Sequence, residues 1–254
     1  MRPLLSVITV CYNAESTLQA CIQSIAQGKT ADVEFLVIDG ASIDGTLDIV
    51  RQYSEVVDAL ISEPDRGIFD AMNKGLSKAV GDYVAFLNAD DIYLPGAIPA
   101  MLDAIRRGRN EVDVIYGDWI GVDARGSEHA RRADHRLRWR YSLCHQALAA
   151  KRVIFPSPHG FDLRYRLCAD FDLISLWQSE GVRFKRISQP LVRFSEIGAS
   201  AKFMHRSAWE SIVIALSRAR SPWALVFAAR VALYVARANL SSWARRAGRT
   251  SPKL

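Results

Sequence analysis

The chain has 254 residues, half of them hydrophobic, and a net charge of +6. That suits one large domain, or one domain with an appendage, and the scattered Cys11, Cys21, Cys144 and Cys168 exclude a disulfide framework or a zinc finger and point to a reducing compartment. Residues 1–100 carry 6 Lys/Arg against 14 Asp/Glu and residues 201–254 carry 10 against 1, so the first part is no nucleic-acid surface, while the last invites an anionic partner such as lipid headgroups, a lipid-linked pyrophosphate or nucleic acid.

The chain enters a strand pattern at once, with no apolar signal-peptide stretch ahead of it, and Leu4–Val10 is the first predicted strand. Asn13 and Ser16 can cap a helix whose Leu18, Cys21, Ile22 and Ile25 keep helical spacing up to Gly28. Phe35–Asp39 is a second buried strand, Ser42 to Gly45 a turn, Leu47–Tyr53 a short helix and Ala59–Ser62 a third strand. Helical spacing resumes at Ile68, Phe69 and Met72 and runs to about Val80. Tyr83–Leu87 is a fourth strand, and it stops abruptly in Asn88-Ala89-Asp90-Asp91. Pro95 begins a helix with Ile98, Met101, Leu102 and Ile105 on one face, and Val112–Tyr116 is a further strand.

Strands alternating with helices imply an α/β fold with a largely parallel sheet covered on both faces. Such sheets bind ligands past the carboxyl ends of their strands. The polar residues there are Asn13 and Glu15, Asp39, Glu63 to Asp65, and Asp90 with Asp91. Two adjacent acids repel each other and resist desolvation, a conflict that a hard divalent cation with oxygen ligands removes. Either acid can equally start a turn or cap a helix. Four successive strand ends carrying acids or amides favour the ligand-binding reading.

The strings Ser6-Val-Ile-Thr-Val-Cys-Tyr-Asn13, Val37-Ile-Asp-Gly-Ala-Ser-Ile-Asp-Gly-Thr46, Glu63-Pro-Asp-Arg-Gly-Ile-Phe-Asp-Ala-Met-Asn-Lys-Gly75 and Gly81-Asp-Tyr-Val-Ala-Phe-Leu-Asn-Ala-Asp-Asp91 resemble the nucleotide-sugar-binding half of family 2 glycosyltransferases. The resemblance is close over residues 5–118 and looser to about residue 200. It is strongest to the small bacterial enzymes that build exopolysaccharide, capsule or O-antigen units. It implies the GT-A fold, a Rossmann-like, mostly parallel central sheet flanked by helices. By the resemblance, the turn from Thr9 through Tyr12 and Asn13 to Glu15 lines the base and ribose pocket, and Asp39 accepts a hydrogen bond from a uracil N–H. The turn holding Ser42 brings backbone close to the nucleotide. Asp65 and Arg66 lie by the donor phosphates or sugar, with a solvated surface arginine as the plain alternative for Arg66, and Asn73 stands behind them. The last string matches the family's D-x-D motif with Asn88 in the first acidic position. Asp90 is then expected near the ribose or in the metal shell, and Asp91 on an Mg²⁺ or Mn²⁺ that bridges the diphosphate.

The segment Gly160-Phe-Asp-Leu-Arg-Tyr-Arg-Leu-Cys-Ala-Asp-Phe-Asp-Leu173 resembles the family's base-bearing segment, with Ala169 where the family has glutamate. Asp170 is the implied general base and Asp172 the alternative; if Asp170 opens a helix over Leu173–Gln178, its plain role is an N-cap. Cys144-His145-Gln146 resembles a His-Gln pair in the acceptor cleft, where His145 meets the acceptor, approaches the metal, or is merely structural. Arg193-Phe-Ser-Glu-Ile-Gly-Ala-Ser200 resembles a loop that closes over the donor. The processive synthases' Gln-x-x-Arg-Trp string is absent, which argues for single-sugar addition. The basic stretch Arg131-Arg-Ala-Asp-His-Arg-Leu-Arg-Trp-Arg140 holds an acceptor pyrophosphate or is a solvated loop.

From Ser221 the chain is apolar, basic and helical in composition, yet its longest charge-free run, residues 221–229, is far short of a bilayer span. It reads as an amphipathic helix on an anionic membrane surface, or as a helix packed on the domain or in an oligomer. The expected organisation is a transferase domain over residues 1–200, with its nucleotide-sugar half over 1–118 and acceptor half over 119–200, and a helical extension over 201–254. The expected activity is inverting, metal-dependent transfer of one sugar from a UDP-sugar to a lipid-linked (polyprenyl-diphosphate) or saccharide acceptor. The setting is surface polysaccharide synthesis on the cytoplasmic face of the membrane. A sugar-1-phosphate nucleotidyltransferase is the competing enzyme class, disfavoured because its Gly-rich first loop is replaced by Thr-Val-Cys-Tyr-Asn. A non-catalytic, membrane-binding nucleotide fold is the third reading.

Overall fold

A computed structural model describes residues 2–108, 111–136, 142–156, 160–198, 202–218 and 223–247. Nine strands form one sheet in the order β3-β2-β1-β4-β8-β6-β9-β5, with β7 paired to β6. The first half alternates as expected: β1 (Leu5–Cys11), α1 (Leu18–Ala26), β2 (Val33–Asp39), α2 (Thr46–Gln52), β3 (Ala59–Ser62), α3 (Ile68–Lys78) and β4 (Tyr83–Phe86). Here β1 pairs in parallel with β2 and with β4, and β2 with β3. The chain therefore changes direction across the sheet at β1, and the crevice between the β1 and β4 ends is a topological switch point.

The second half makes the sheet mixed. After β5 (Ile92–Tyr93) and α4 (Ala97–Gly108) come β6 (Val114–Val122), β7 (Glu128–Arg131), β8 (Leu148–Lys151), α5 (Ala169–Ser179) and β9 (Phe184–Ser195). β8 lies antiparallel to both β4 and β6. It thereby hangs the second half of the chain on the edge that β4 would otherwise expose. Unpaired edges are a liability, and β8 removes this one while carrying the preceding 3₁₀ turn His145–Ala147 to the β4 end.

The period-2 alternation of β1 and β2 feeds two cores. Leu5, Val7, Phe35 and Val37 face α1 and α4, with Leu18, Ile22, Ile98 and Met101 opposite. Ile8, Val10, Leu36 and Ile38 face α3 and α5, with Phe69, Met72, Leu173 and Trp177 opposite. Gly75 lets α3 lie close on this face, because a Cβ there would sit 2.5 Å from Ile8 Cγ2.

α5 starts four residues before the predicted Leu173. The reason is non-local. The Glu210 carboxylate accepts the backbone N–H groups of Arg166, Leu167 and Cys168 at 3.2, 2.8 and 3.2 Å, satisfying donors that a helix start leaves open. Glu210 belongs to α6 (Met204–Arg218), which is followed by α7 (Trp223–Ala247). These two helices and α5 share a third core of Cys168, Phe171, Ile214, Ala215, Ala224 and Phe227. Of the basic stretch, residues 137–140 lie outside the described residues, as do 199–200 of the following loop, 221–222 of the tail and everything past 247.

Candidate active site

A cleft of about 880 Å³ opens at the carboxyl ends of β1, β3 and β4, the position expected from the parallel half. Tyr12 and Asn13 enter it from β1, Asp65 and Gly67 from the β3–α3 loop, and Asn88 and Asp90 from β4. His145, Gln146, Arg166 and Asp170 line it from the second half of the chain, and Phe194 to Glu196, Gly198 and Lys202 form the last wall.

The turns on the donor side are held by their own polar side chains. Asn13 takes a left-handed φ of 49°, tolerable for asparagine, and its Oδ1 accepts the Ile43 N–H at 3.0 Å. Its own N–H donates to Ser42 Oγ at 2.8 Å. Asp39 is fully buried beneath them. Its carboxylate accepts from the Ser42 N–H and hydroxyl and, at 2.6 Å, from Ser62 Oγ. Asp39 therefore braces the turn from below. Thr9 is likewise buried, facing Cys21 Sγ, and Glu15 accepts the Gly45 N–H at 2.8 Å. Neither lines the cleft. Gly40 leaves room for a carboxylate rather than for a nucleotide: a Cβ there would meet Asp65 Oδ2 at 2.5 Å. Asp65 in turn accepts the Gly67 N–H at 2.7 Å.

Arg66 turns away, paired with Asp70 at 3.0 Å and exposed, which matches its plain surface reading. Asn73 staples the Phe161 segment to α3 through both of its amide atoms, donating to Phe161 O at 2.9 Å and accepting from Phe161 N–H at 2.8 Å.

The two β4 acids part company. Asp90 is exposed on the cleft, yet deep enough that burial pushes its carboxyl up, with Lys202 pulling the other way. Asp91 is 1 % exposed. It accepts the Ser195 N–H at 2.8 Å and Gln146 Nε2 at 3.0 Å. Burial, followed by the neighbouring Asp90 charge, pushes Asp91 up to about 8. Asp90 is thus the carboxylate on the cleft wall, and Asp91 ties the 146 and 195 segments to the end of β4.

A divalent cation fits this donor set in the manner of magnesium, held by one or two carboxylates plus substrate phosphates. Asp90 supplies the hard oxygen, and Asn88 Oδ1 is buried without a hydrogen-bond partner. Among the described residues no three His, Cys, Asp or Glu side chains come close enough to hold a metal by themselves, so diphosphate oxygens would have to complete the shell.

On the acceptor side His145 Nδ1 lies 2.8 Å from Asp170 Oδ2, and Asp170 sits in the first turn of α5. Asp172 is nearly buried and its carboxylate is engaged, with Arg218 gripping it by two nitrogens at 2.8 and 2.7 Å, which leaves it poorly placed to act as a base. Sequence reasoning missed Trp119, Arg166 and Lys202 in the cleft. Arg166 lies within the segment quoted for Asp170, and its spacing four residues before that acid was the available signal. Lys202 follows a loop and offered none.

Residues 6–161 match the model of the family described as "Glycosyl transferase family 2". Over 173 residues the chain is 34 % identical to a PGL/p-HBAD biosynthesis glycosyltransferase of Mycobacterium tuberculosis, covering 67 % of this chain and 68 % of that one. It is 32 % identical over 117 residues, 46 % of each chain, to the Escherichia coli UDP-Glc:alpha-D-GlcNAc-diphosphoundecaprenol beta-1,3-glucosyltransferase WfgD. Among solved structures, S. aureus TarS 1-349 in complex with UDP-GlcNAc superposes with a TM-score of 0.63 at 19 % identity, over 85 % of this chain and 66 % of that one; of the longer TarS chain the match spans 40 %. The mannosyltransferase PcManGT from Pyrobaculum calidifontis, in complex with GDP-Man and Mn2+, superposes with a TM-score of 0.64 at 20 % identity, over 97 % of this chain and 81 % of that one. These neighbours carry the GT-A fold, and the sequence matches leave the nucleotidyltransferase reading without support. The chain belongs to glycosyltransferase family 2.

Proposed function

We propose that this enzyme moves a single sugar, with inversion, from a UDP-sugar to a hydroxyl of a lipid-linked or saccharide acceptor. The observation that carries the reading is one cleft holding the two halves such a transfer needs. All line one cleft, where in this reading Asp90, Arg166 and Lys202 would hold the departing diphosphate and the His145–Asp170 pair would receive the proton of the acceptor hydroxyl. Tyr12, 63 % exposed on the cleft wall, offers a ring to the base. A bound Mg²⁺ or Mn²⁺ would neutralise diphosphate charge and improve it as a leaving group. Asp90 is the residue to hold that ion, with Asn88 beside it. The choice of UDP is supported by the nucleotide named for WfgD and TarS, whereas PcManGT was captured with GDP-Man.

The test is product formation by the full chain with a panel of UDP- and GDP-sugars and saccharide or polyprenyl-diphosphate acceptors, with and without Mn²⁺. We expect UDP-sugar turnover that needs the metal and gives the inverted anomer. Turnover confined to GDP-sugars, retention at the anomeric carbon, or a full rate in chelator would each overturn its part of the reading.

We place the enzyme on the cytoplasmic face of the membrane, held by α7. No helix among the described residues is long and apolar enough to cross a bilayer. Ala224, Phe227 and Val231 face the third core, while Leu225, Leu233 and Tyr234 are 64 %, 52 % and 65 % exposed, alongside the exposed Arg230 and Arg237. Apolar side chains beside cations suit an anionic lipid surface. Replacing Leu225, Leu233 and Tyr234 together by serine is expected to release the protein from phosphatidylglycerol vesicles without lowering its melting temperature. Undiminished vesicle binding would show that α7 does not dock on lipid.

A further inference from the structure

The rim of the cleft beside its last wall is apolar. Ile197, between the wall residues Glu196 and Gly198, is exposed, and Phe203, next to the wall residue Lys202, is 59 % exposed. α6 follows at Met204 and carries the same character onward. Its inner face, with Glu210, Ser211, Ile214 and Ala215, is buried. Its outer face repeats at helical spacing as His205, Trp209, Ile212 and Leu216. Trp209 is 66 % exposed, Leu216 is exposed and Ile212 is half-buried. A surface helix ordinarily turns polar side chains outward. Large apolar side chains in a row there mark a surface that meets a partner.

The charges around the stripe select the partner. Residues 201–254 contain ten Lys/Arg and one acid, Glu210. That acid is buried and occupied by Arg206 and three backbone N–H groups. Neither α6 nor α7 has another carboxylate to turn outward, while Lys202, His205, Arg206, Arg230 and Arg237 are all exposed. A second copy of the chain, meeting this face with its own, would set like charges against each other. An anionic bilayer supplies the opposite sign. Tryptophan and tyrosine suit headgroup level, where an apolar ring and a polar edge are both satisfied. Trp209 on α6 and Tyr234 on α7 are both exposed for that position.

Resting on the reading of this cleft as a sugar-transfer site, we propose that Ile197, Phe203, Trp209 and Leu216 seat the cleft rim on an anionic bilayer. The acceptor is then a lipid-linked sugar taken from the membrane surface, not a free saccharide. Docking by α7 alone would hold the protein to the membrane without fixing which way the cleft faces; the rim and the α6 stripe fix it. A free saccharide reaches a cleft from any direction and gains nothing from an apolar rim. A sugar tied to the bilayer by its lipid reaches only a cleft that opens close to headgroup level.

The experiment compares the full chain with the double substitution Phe203→Ser and Trp209→Ser. Each is given the acceptor sugar that yields product in the panel above, in two forms: on a polyprenyl diphosphate in phosphatidylglycerol vesicles, and on a short water-soluble chain. We expect the double variant to lose at least about 10-fold in kcat/KM on the vesicle-borne acceptor, a modest part of what burying two aromatic rings supplies. Its rate on the soluble acceptor, its UDP-sugar binding and its melting temperature should not change. Equal loss on both acceptors would make these residues part of the cleft, and no loss on either would detach the rim from the membrane; each overturns the proposal. So would a dimer that sediments as a monomer after the substitution, since a second copy would then cover the stripe. A further readout needs no turnover. Brominated phosphatidylglycerol should quench part of the tryptophan fluorescence of the wild-type chain, and Trp209→Phe should remove that part. No quenching at Trp209 would overturn the proposal and leave the transferase reading intact. Quenching at Trp209 in a chain that transfers nothing from any nucleotide sugar would overturn the transferase reading and the acceptor assignment, and would leave the lipid contact standing.

Discussion

Replacing Asp90 with alanine is expected to lower sugar transfer by roughly 10²- to 10⁴-fold, the equivalent of about 3–5 kcal/mol of transition-state stabilisation, and to raise the Mn²⁺ concentration needed for half-maximal rate. The neighbouring substitution Asp91→Asn is expected to do much less to catalysis. The difference follows from where the two carboxylates point. Asp90 is the acid on the cleft, with Lys202 as a nearby cation. Asp91 is enclosed, and its oxygens serve the Ser195 N–H and the Gln146 amide. Burial already favours its neutral form, up to about pH 8, so asparagine resembles the state the fold prefers and keeps the acceptor for Ser195. Steady-state transfer and a metal titration for both variants check this. Full activity in Asp90→Ala would remove Asp90 from the diphosphate site. Loss in Asp91→Asn with an unchanged melting temperature would return the metal to Asp91.

The sequence contains the parallel half almost residue for residue, because short β-branched runs ending in polar turns have few other places to go. Of the strand-end residues that the motifs single out, Tyr12, Asn13, Asp65 and Asp90 line the cleft. They could not say which of two adjacent acids faces a ligand. After Phe86 the strand ends, and side-chain direction passes from period-2 alternation to the particular turn that carries Asp91 N–H to Asn88 O at 3.1 Å. Nor could they separate residues that line the cleft from residues that shape it. Asp39, Thr9, Glu15 and Asn73 have the right types in the right order, and their polar atoms are spent on holding turns and loops together. β8 was illegible because Leu148-Ala-Ala-Lys151 has little strand character of its own and is made a strand by β4 and β6. Asp172 looked like a spare base because its partner, Arg218, lies 46 residues away.

Glu210→Ala is expected to cost about 1–3 kcal/mol of stability, the range for leaving buried donors unsatisfied, and thereby to lower the melting temperature by on the order of 5 °C at roughly 2–4 °C per kcal/mol for a chain of this size. The substitution would orphan the N–H groups of Arg166, Leu167 and Cys168 and unpair Arg206, which Glu210 holds at 2.9 Å. Glu210→Gln keeps an acceptor oxygen and is expected to lose less than half as much. Thermal melting of the two variants decides it, and equal melting temperatures for wild type and Glu210→Ala would mean that water replaces the carboxylate at no cost. Transfer should fall further than unfolding accounts for at a temperature where Glu210→Ala is still folded. The three N–H groups belong to the turn that delivers Arg166 to the cleft and starts the helix bearing Asp170. α7 adds to the same support, since Phe227 stacks on Phe171, the residue after Asp170, with ring centroids 5.6 Å apart. The C-terminal helices therefore do two separable things. Their buried face, through Glu210, Arg218 and Phe227, holds the acceptor side of the cleft in shape. Their exposed side chains, Leu225, Leu233 and Tyr234 among them, are the ones that the proposed docking on lipid would use. Truncation would remove both at once, which is why the point substitutions, and not deletion of the tail, can tell anchoring from catalysis.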